Sequence, residues 1–247
     1  MTSIFSRNFN IPIIDVNKYM RLRTSRMFSI LHLVSTDHLN IAGTGTDVTL
    51  GKGLIWVLIK QRAEIKRMPK RDEEIVVKTW PTGGRHKLLH RHYSIETPEG
   101  ETLINAGAVW SLIDIKTRSM IIPSDYDLMF DSVNTGNEIS MRPNPKSIET
   151  THHTEFTVPF SYIDSNRHMN SALCLDLVED IIPAAKEGLS PKMINIRYQT
   201  EALEGTVLNI SWGHLSDETK SEIPHAGTYY MTCDSASGNH FKIQAEY

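Results

Sequence analysis

The sequence predicts an α+β protein in which one structural unit, a helix wrapped by an antiparallel sheet, is written twice. Three observations carry that prediction. Short strings recur in the same order in both halves, each half holds one amphipathic helical stretch, and strand-like runs follow each helix without a second helix among them. Phe9, Ile11 and Pro12 return as Phe156, Val158 and Pro159, 147 positions later. Asp15, Asn17, Tyr19 and Met20 then answer Asp164, Asn166, His168 and Met169 at a spacing of 149, which requires a two-residue insertion. Ile59, Lys60 and Glu64 match Ile196, Arg197 and Glu201 at 137, and Gly100 matches Gly238 at 138. The first copy therefore carries about twelve more residues before its first long strand, read from the repeat.

The helical stretches are expected at 22–41 and 171–186. In the second, Leu173, Leu177 and Ile181 recur at i, i+4 and i+8, flanked by Cys174, Val178 and Ile182, which makes a wide apolar stripe suited to burial. Strands are expected at 55–68, 74–80, 86–96 and 102–115, then at 193–202, 206–214, 227–234 and 240–247. In the last, Phe241, Ile243, Ala245 and Tyr247 alternate with polar residues, the period of a half-buried strand. Each unit then reads as a hotdog, and the chain as a tandem (double) hotdog: an N-terminal unit over 1–125, a Pro-, Asn- and Ser-rich connector over 126–150, and a C-terminal unit over 151–247. Pairing the two sheets edge to edge would cover open edges and make the duplicated fold a built-in dimer.

Composition narrows the function. A chain of 247 residues, 40% hydrophobic with net charge -3, has a sizeable core and no basic field to draw it to nucleic acid or an anionic membrane. Cys174 and Cys233 are too few for a disulfide framework and lack metal-ligand spacing, so a reducing cytoplasm fits. No segment has the apolar length of a signal h-region or a membrane span, and a soluble, unexported chain is expected. His86, His90 and His92 share a strand-like segment, but strand spacing holds the outer pair too far apart for one ion, and no carboxylate completes a set. His152 and His153 fall in the connector. Gly-rich phosphate loops and serine-nucleophile elbows are missing, so neither a metal nor a cofactor is expected.

The chemistry is expected in the second copy. Histidine exchanges protons readily near neutral pH, whereas the matched Tyr19 of the first copy does not. Asp164, Asn166 and His168 at alternate positions would point to one side of an extended segment, and that segment would deliver them beside a helix N-terminus whose N–H groups can receive negative charge. A plain turn leading to a helix cap is the structural alternative.

These residues carry a family resemblance. Asp164, Asn166 and His168, with Asn170 one place early, resemble the motif of the acyl-acyl-carrier-protein thioesterases. Trp56, the Thr79, Trp80, Pro81 string, and Trp110 with Asp114 and Arg118 are similar to first-half signatures of that family. Plant members carry a Tyr-Arg-Arg-Glu-Cys run where this chain reads Tyr198, Gln199, Thr200, Glu201, Ala202, so the glutamate is kept and the cysteine is gone. The resemblance implies hydrolysis of acyl-carrier thioesters to free fatty acid, ending fatty acid synthesis, by water activation without a cysteine nucleophile. For such a reaction His168 and Glu201 are assigned the general-base task together, with Asp164 supporting the pair and Asn166 positioning carbonyl or water, and the proton acceptor among His168, Glu201 and Asp164 stays open at this point. Cys174, in the apolar stripe, reads as structural.

The resemblance also implies an acyl-chain pocket in the first unit, with Met27, Phe28, Leu31 and Val34 as walls. An acidic acyl carrier protein is the implied partner, met by Lys66, Arg67, Lys70, Arg71, Arg85, Lys87 and Arg91. A hydratase or dehydratase acting on acyl thioesters, or an acyl-binding protein without turnover, are the competing readings. Chain-length preference and oligomeric state, a homodimer included, are not readable from the sequence.

Overall fold

A computed structural model describes residues 4–128, 131–216 and 223–247, the Arg85 side chain excepted. Contacts divide the chain into two compact units, one of 1–22 with 26–141 and one of 23–25 with 142–247. Unit 1 contains β1 (Phe5–Asn10), the 3-10 turn η1 (Ile13–Asp15), α1 (Thr24–Ile41), α2 (Thr46–Gly51), β2 (Leu54–Ile65), β3 (Glu74–Arg85), β4 (Leu88–Glu96), β5 (Thr102–Asp114) and the 3-10 turn η2 (Pro123–Tyr126). Its strands pair antiparallel in the order β1-β3-β4-β5-β2. Unit 2 contains β6 (His152–Thr157), the 3-10 turn η3 (Phe160–Tyr162), α3 (Cys174–Ile181), α4 (Pro183–Lys186), β7 (Met193–Tyr198), β8 (Val207–Ser216), β9 (Gly227–Ser235) and β10 (Gly238–Glu246). The order β6-β8-β9-β10-β7, again antiparallel, repeats that of unit 1 strand for strand. Each unit is thus a hotdog.

The strands form where β-branched and apolar residues alternate, and the core is the face that α1 covers. Met27, Phe28, Leu31 and Val34 are fully buried along one stripe of α1, as are Ile75, Val77, Tyr93, Ile95 and Leu103 on the sheet. That stripe turns polar toward its C-terminal half. Ser35 Oγ meets Tyr93 Oη at 2.7 Å, His32 Nε2 meets the Gln61 side-chain amide at 2.7 Å, and buried Arg91 reaches His38 Nδ1 at 3.0 Å and Thr79 Oγ1 at 3.2 Å. Burial without a counter-charge holds His32 down at about 4, against a smaller upward pull from Gln61.

Several local features differ from the sequence expectation, and β1, β6 and the short helix α2 fall where no strand or helix was expected. The helix expected over 171–186 is two, because Ile182 is extended (ψ 124°) before Pro183, which lacks an N–H and starts α4. His152 and His153 open β6, with His152 stacked on Trp212 at 3.9 Å and His153 Nδ1 2.8 Å from Ser211 Oγ. His86 stands in a left-handed turn (φ 54°) between β3 and β4, off the strand that carries His90 and His92.

The irregular segment before β6 is packed as well. Over 131–141 it lies on unit 1, where Ile139 and Met141 join Val109, and Lys60 Nζ donates to Met141 O at 3.0 Å. Glu138 takes the Trp80 indole N–H at 2.7 Å and the Thr135 N–H at 2.7 Å. Gly107 leaves the room beneath it that Met141 fills, since a Cβ there would come within 2.5 Å of Met141 Sδ and displace it. Among the described residues no helix is long and apolar enough to cross a membrane.

Candidate active site

Within unit 2 the loop after η3 and the loop after β7 are laced together. Met169 N–H donates to Ala202 O at 2.8 Å, and Gly205 N–H donates to Val158 O at 2.9 Å. This pairing sets His168 beside Glu201, with Nε2 and Oε2 3.2 Å apart and both side chains partly open to solvent. An imidazole facing a carboxylate through Nε2 keeps its other nitrogen for a proton, and the carboxylate stabilises the imidazolium once that proton arrives.

The loop holding His168 is a turn, not an extended segment. Asp164 N–H donates to His168 O at 2.9 Å, Arg167 N–H donates to Asp164 O at 2.9 Å, and Arg167 is left-handed (φ 67°). Asp164 Oδ1 accepts the Asn166 N–H at 2.8 Å. The expectation that Asp164, Asn166 and His168 share one side of a strand is therefore corrected. An Asp able to bond the N–H two residues on closes the turn, and this competes successfully with extension. Asp164 shapes the loop from which His168 projects, while Asn166 stays exposed at its tip.

The matching of the copies is corrected too. In unit 1 Asn17 N–H donates to Arg21 O, Met20 N–H donates to Asn17 O, Asn17 Oδ1 accepts the Tyr19 N–H, and Met20 is left-handed (φ 58°). Every one of these contacts lies 147 positions before its equivalent in unit 2, so no insertion is needed. Asn17, Tyr19 and Arg21 stand where Asp164, Asn166 and His168 stand, and Asp15 instead pairs with Arg26 at 3.3 Å. Leu22 N–H donates to Pro69 O as Met169 N–H does to Ala202 O, which puts buried Met68 in the place of Glu201. Glu64 is no counterpart; it pairs with Arg62 at 2.9 Å on β2. The first copy still lacks a group that titrates near neutrality, but it is arginine, and not tyrosine, that replaces His168.

Four N–H groups leading into α3 are taken. Asn170 Oδ1 accepts from Ala172 at 2.9 Å and Asn170 O from Leu173 at 3.0 Å, while Leu175 and Asp176 donate to the carbonyls of Ala172 and Leu173. These four are not free to receive an oxyanion, contrary to the sequence expectation, because the chain turns tightly before the helix. Cys174 is buried, its thiol donates to Ser171 O at 2.9 Å, and burial pushes its pKa well above the ordinary thiol range. Burial likewise pushes Cys233 up to about 12. Neither is a nucleophile at neutral pH.

The basic residues expected to meet a partner are not one patch. Arg91 is 5% exposed inside unit 1, held by His38 and Thr79, and so is no surface cation. Arg67 makes two hydrogen bonds to Glu73, and Arg71 pairs with Asp72. Lys66 and Lys70 are exposed before β3, whereas Lys87 lies past its far end, about 35 Å away for a strand of this length. The Arg85 side chain lies outside the described residues. Among the described residues no group of three His, Cys, Asp or Glu side chains is placed to hold a metal ion.

Two family models match the chain: the acyl-ACP thioesterase N-terminal domain over residues 2–127 and the acyl-ACP thioesterase C-terminal domain over 145–242. A chloroplastic palmitoyl-acyl carrier protein thioesterase of Cuphea hookeriana is 23% identical over 221 residues, covering 83% of this chain and 53% of the relative. One from Gossypium hirsutum is 21% identical over 242 residues, covering 92% and 58%. The chain spans about half the length of the curated relatives it matches. Among solved structures, an acyl-ACP thioesterase from Bacteroides thetaiotaomicron superposes with TM-score 0.83 at 19% identity, covering 99% of this chain and 97% of that one. The 12:0-ACP thioesterase from Umbellularia californica gives 0.81 at 16%, covering 100% and 97%. At these identities the structural likeness establishes the double-hotdog fold. With its two halves matched by the two domain models in order, the chain belongs to the acyl-ACP thioesterase family.

Proposed function

We propose that the chain hydrolyses acyl thioesters carried on acyl carrier protein, releasing free fatty acid, through water activated at His168 and Glu201. The observation that carries this reading is the His168–Glu201 contact at 3.2 Å in unit 2, in a chain of this family whose two cysteines are buried. A thioester asks little help at its leaving group, since a thiol of pKa about 8.5 departs readily. What remains is to deprotonate water and hold a tetrahedral oxyanion. His168 takes the proton, Glu201 orients the ring and stabilises the imidazolium, and Asp164 acts as a positioning residue through the turn it closes. Asn166, exposed two residues before His168, is the amide assigned to the substrate carbonyl or the water. The buried stripe Met27, Phe28, Leu31 and Val34 is assigned to the acyl-chain side of unit 1. Free buried thiols suit a reducing compartment such as the cytoplasm.

The test is release of free thiol from an acyl carrier thioester, followed with a thiol reagent, which a hydratase or a non-catalytic binder would not produce. His168→Ala and Asp164→Ala should each lower kcat/KM by at least about 10²-fold, the size of a general-base contribution. Near-full activity in His168→Ala would sink the assignment.

A further inference from the structure

The loops of unit 1 that correspond to the catalytic loops of unit 2 have lost the catalytic side chains and carry a different surface. Three segments meet there: η1, the turn Asn17–Arg21, and the β2–β3 connection. Ile11 N–H donates to Glu73 O at 3.0 Å, Asp72 N–H to Ile11 O at 2.9 Å, Leu22 N–H to Pro69 O at 2.8 Å and Arg71 N–H to Met20 O at 3.0 Å. On this frame Ile13, Ile14 and Met20 are exposed, Ile14 to 74%. Lys18, Lys66 and Lys70 stand around them, exposed; Lys18 Nζ lies 5.0 Å from the Tyr19 ring centroid and Lys70 adds to the positive field at Glu73, while Arg67 and Arg71 pair with Glu73 and Asp72 on the same connection.

The equivalent loops of unit 2 keep an apolar rim, with Phe160 exposed to 76% and Leu203 also exposed, but their charges are Asp164, Glu201 and Glu204 against Arg167. Between the copies the apolar rim is shared and the sign of the charge is opposite. Large apolar side chains held open on a turn, rimmed by exposed ammonium groups, suit an acidic protein surface with an apolar ridge. A substrate tethered to a carrier protein brings a protein surface to the enzyme at every turnover.

We propose that η1, the Asn17–Arg21 turn and the β2–β3 connection of unit 1 form the docking surface for an acidic acyl carrier protein, Ile13, Ile14 and Met20 seating its apolar ridge and Lys18, Lys66 and Lys70 its carboxylates. The proposal rests on the carrier-bound substrate assigned above. It replaces the scattered basic set with one loop cluster that excludes Arg91 and Lys87.

The experiment measures binding of fluorescently labelled holo-acyl carrier protein by anisotropy, alongside hydrolysis of the carrier thioester and of the matching pantetheine thioester. The triple variant Lys18→Glu, Lys66→Glu, Lys70→Glu and the single variant Ile14→Asp should each raise Kd and KM for the carrier about tenfold or more, with pantetheine thioester hydrolysis unchanged. Lys87→Glu, at the far end of β3, should bind as the parent does. Unchanged carrier binding in the triple variant, an equal effect of Lys87→Glu, or a change of oligomeric state by sedimentation in Ile14→Asp would overturn the proposal. Because anisotropy needs no turnover, a parent protein that binds the carrier through these residues but releases no thiol refutes the hydrolase reading alone. Hydrolysis that survives with normal binding in the triple variant refutes the docking surface alone.

Discussion

At the scale of single residues, the question is which side chains do chemistry and which only hold the loop. Asp164, the residue type most suggestive of catalysis, uses Oδ1 to accept the backbone N–H of Asn166, so in the proposed mechanism it acts through the placing of His168. Cys174 lies in the same unit but donates its thiol to a carbonyl and is fully desolvated. Cys174→Ala is therefore expected to leave kcat within about twofold while costing about 1–2 kcal/mol in a denaturant melt, the usual loss for a small buried apolar group. Loss of turnover with intact stability would bring the thiol back into the mechanism. His168 was legible because histidine is scarce in the matching place of the other copy. Glu201 was legible through the string around it. The turn from which His168 projects and the Met169–Ala202 pairing that sets it beside Glu201 were not, because only a backbone trace shows which N–H meets which acceptor.

At the scale of elements, the segment over 131–141 reads in sequence as an irregular connector, and irregular it is. What the sequence does not show is that it is nailed down, by one carboxylate above all. Burial disfavours the charge on Glu138, but hydrogen bonds from Thr135 and the Trp80 indole outweigh it and hold the pKa down at about 2. Because the folded value lies below the unfolded one, this carboxylate contributes stability above about pH 4.5 that is lost as pH falls toward about 2. Glu138→Gln should cost about 1–2 kcal/mol at pH 7, the range of charge-assisted hydrogen bonds, and flatten that acid limb. Denaturant melts followed by tryptophan fluorescence across that pH range measure both. An unaltered acid limb in Glu138→Gln would show the segment is held by its apolar contacts alone. The break at Pro183 is the opposite case, an element boundary that the proline announces and that the continuous apolar stripe through Ile182 conceals.

At the scale of the whole molecule, duplication leaves each unit its own core, and unit 1 pays for a polar one. His32 is buried against Gln61 and held at about 4, so the unfolded chain binds a proton between about pH 6.5 and 4 that the folded unit refuses. Stability is therefore full above about pH 6.5 and falls as pH drops toward 4. Thermal melts across that window should show the slope, and His32→Gln should remove it. A His32→Gln variant with the same slope would place the titration elsewhere.

What the sequence by itself determined is the periodic part of this protein: two copies, eight of the ten described strands, the helix stripe, and the residue types at the candidate site, all of which follow from spacing and side-chain chemistry along the chain. Only the tertiary structure decided how the copies correspond. The two-residue insertion inferred between Phe156 and Asp164 vanishes once hydrogen bonds pair Asn17 with Arg21 and Asp164 with His168. Likeness of letters pairs strings, whereas the turn is defined by which N–H meets which carbonyl, and Asn17 serves that turn as well as an aspartate does. The same reason explains the basic residues. Charge along a sequence says nothing of burial or of a facing carboxylate, and it was the fold that placed Arg91 in the core, matched Arg67 with Glu73 and left Lys66 and Lys70 to solvent.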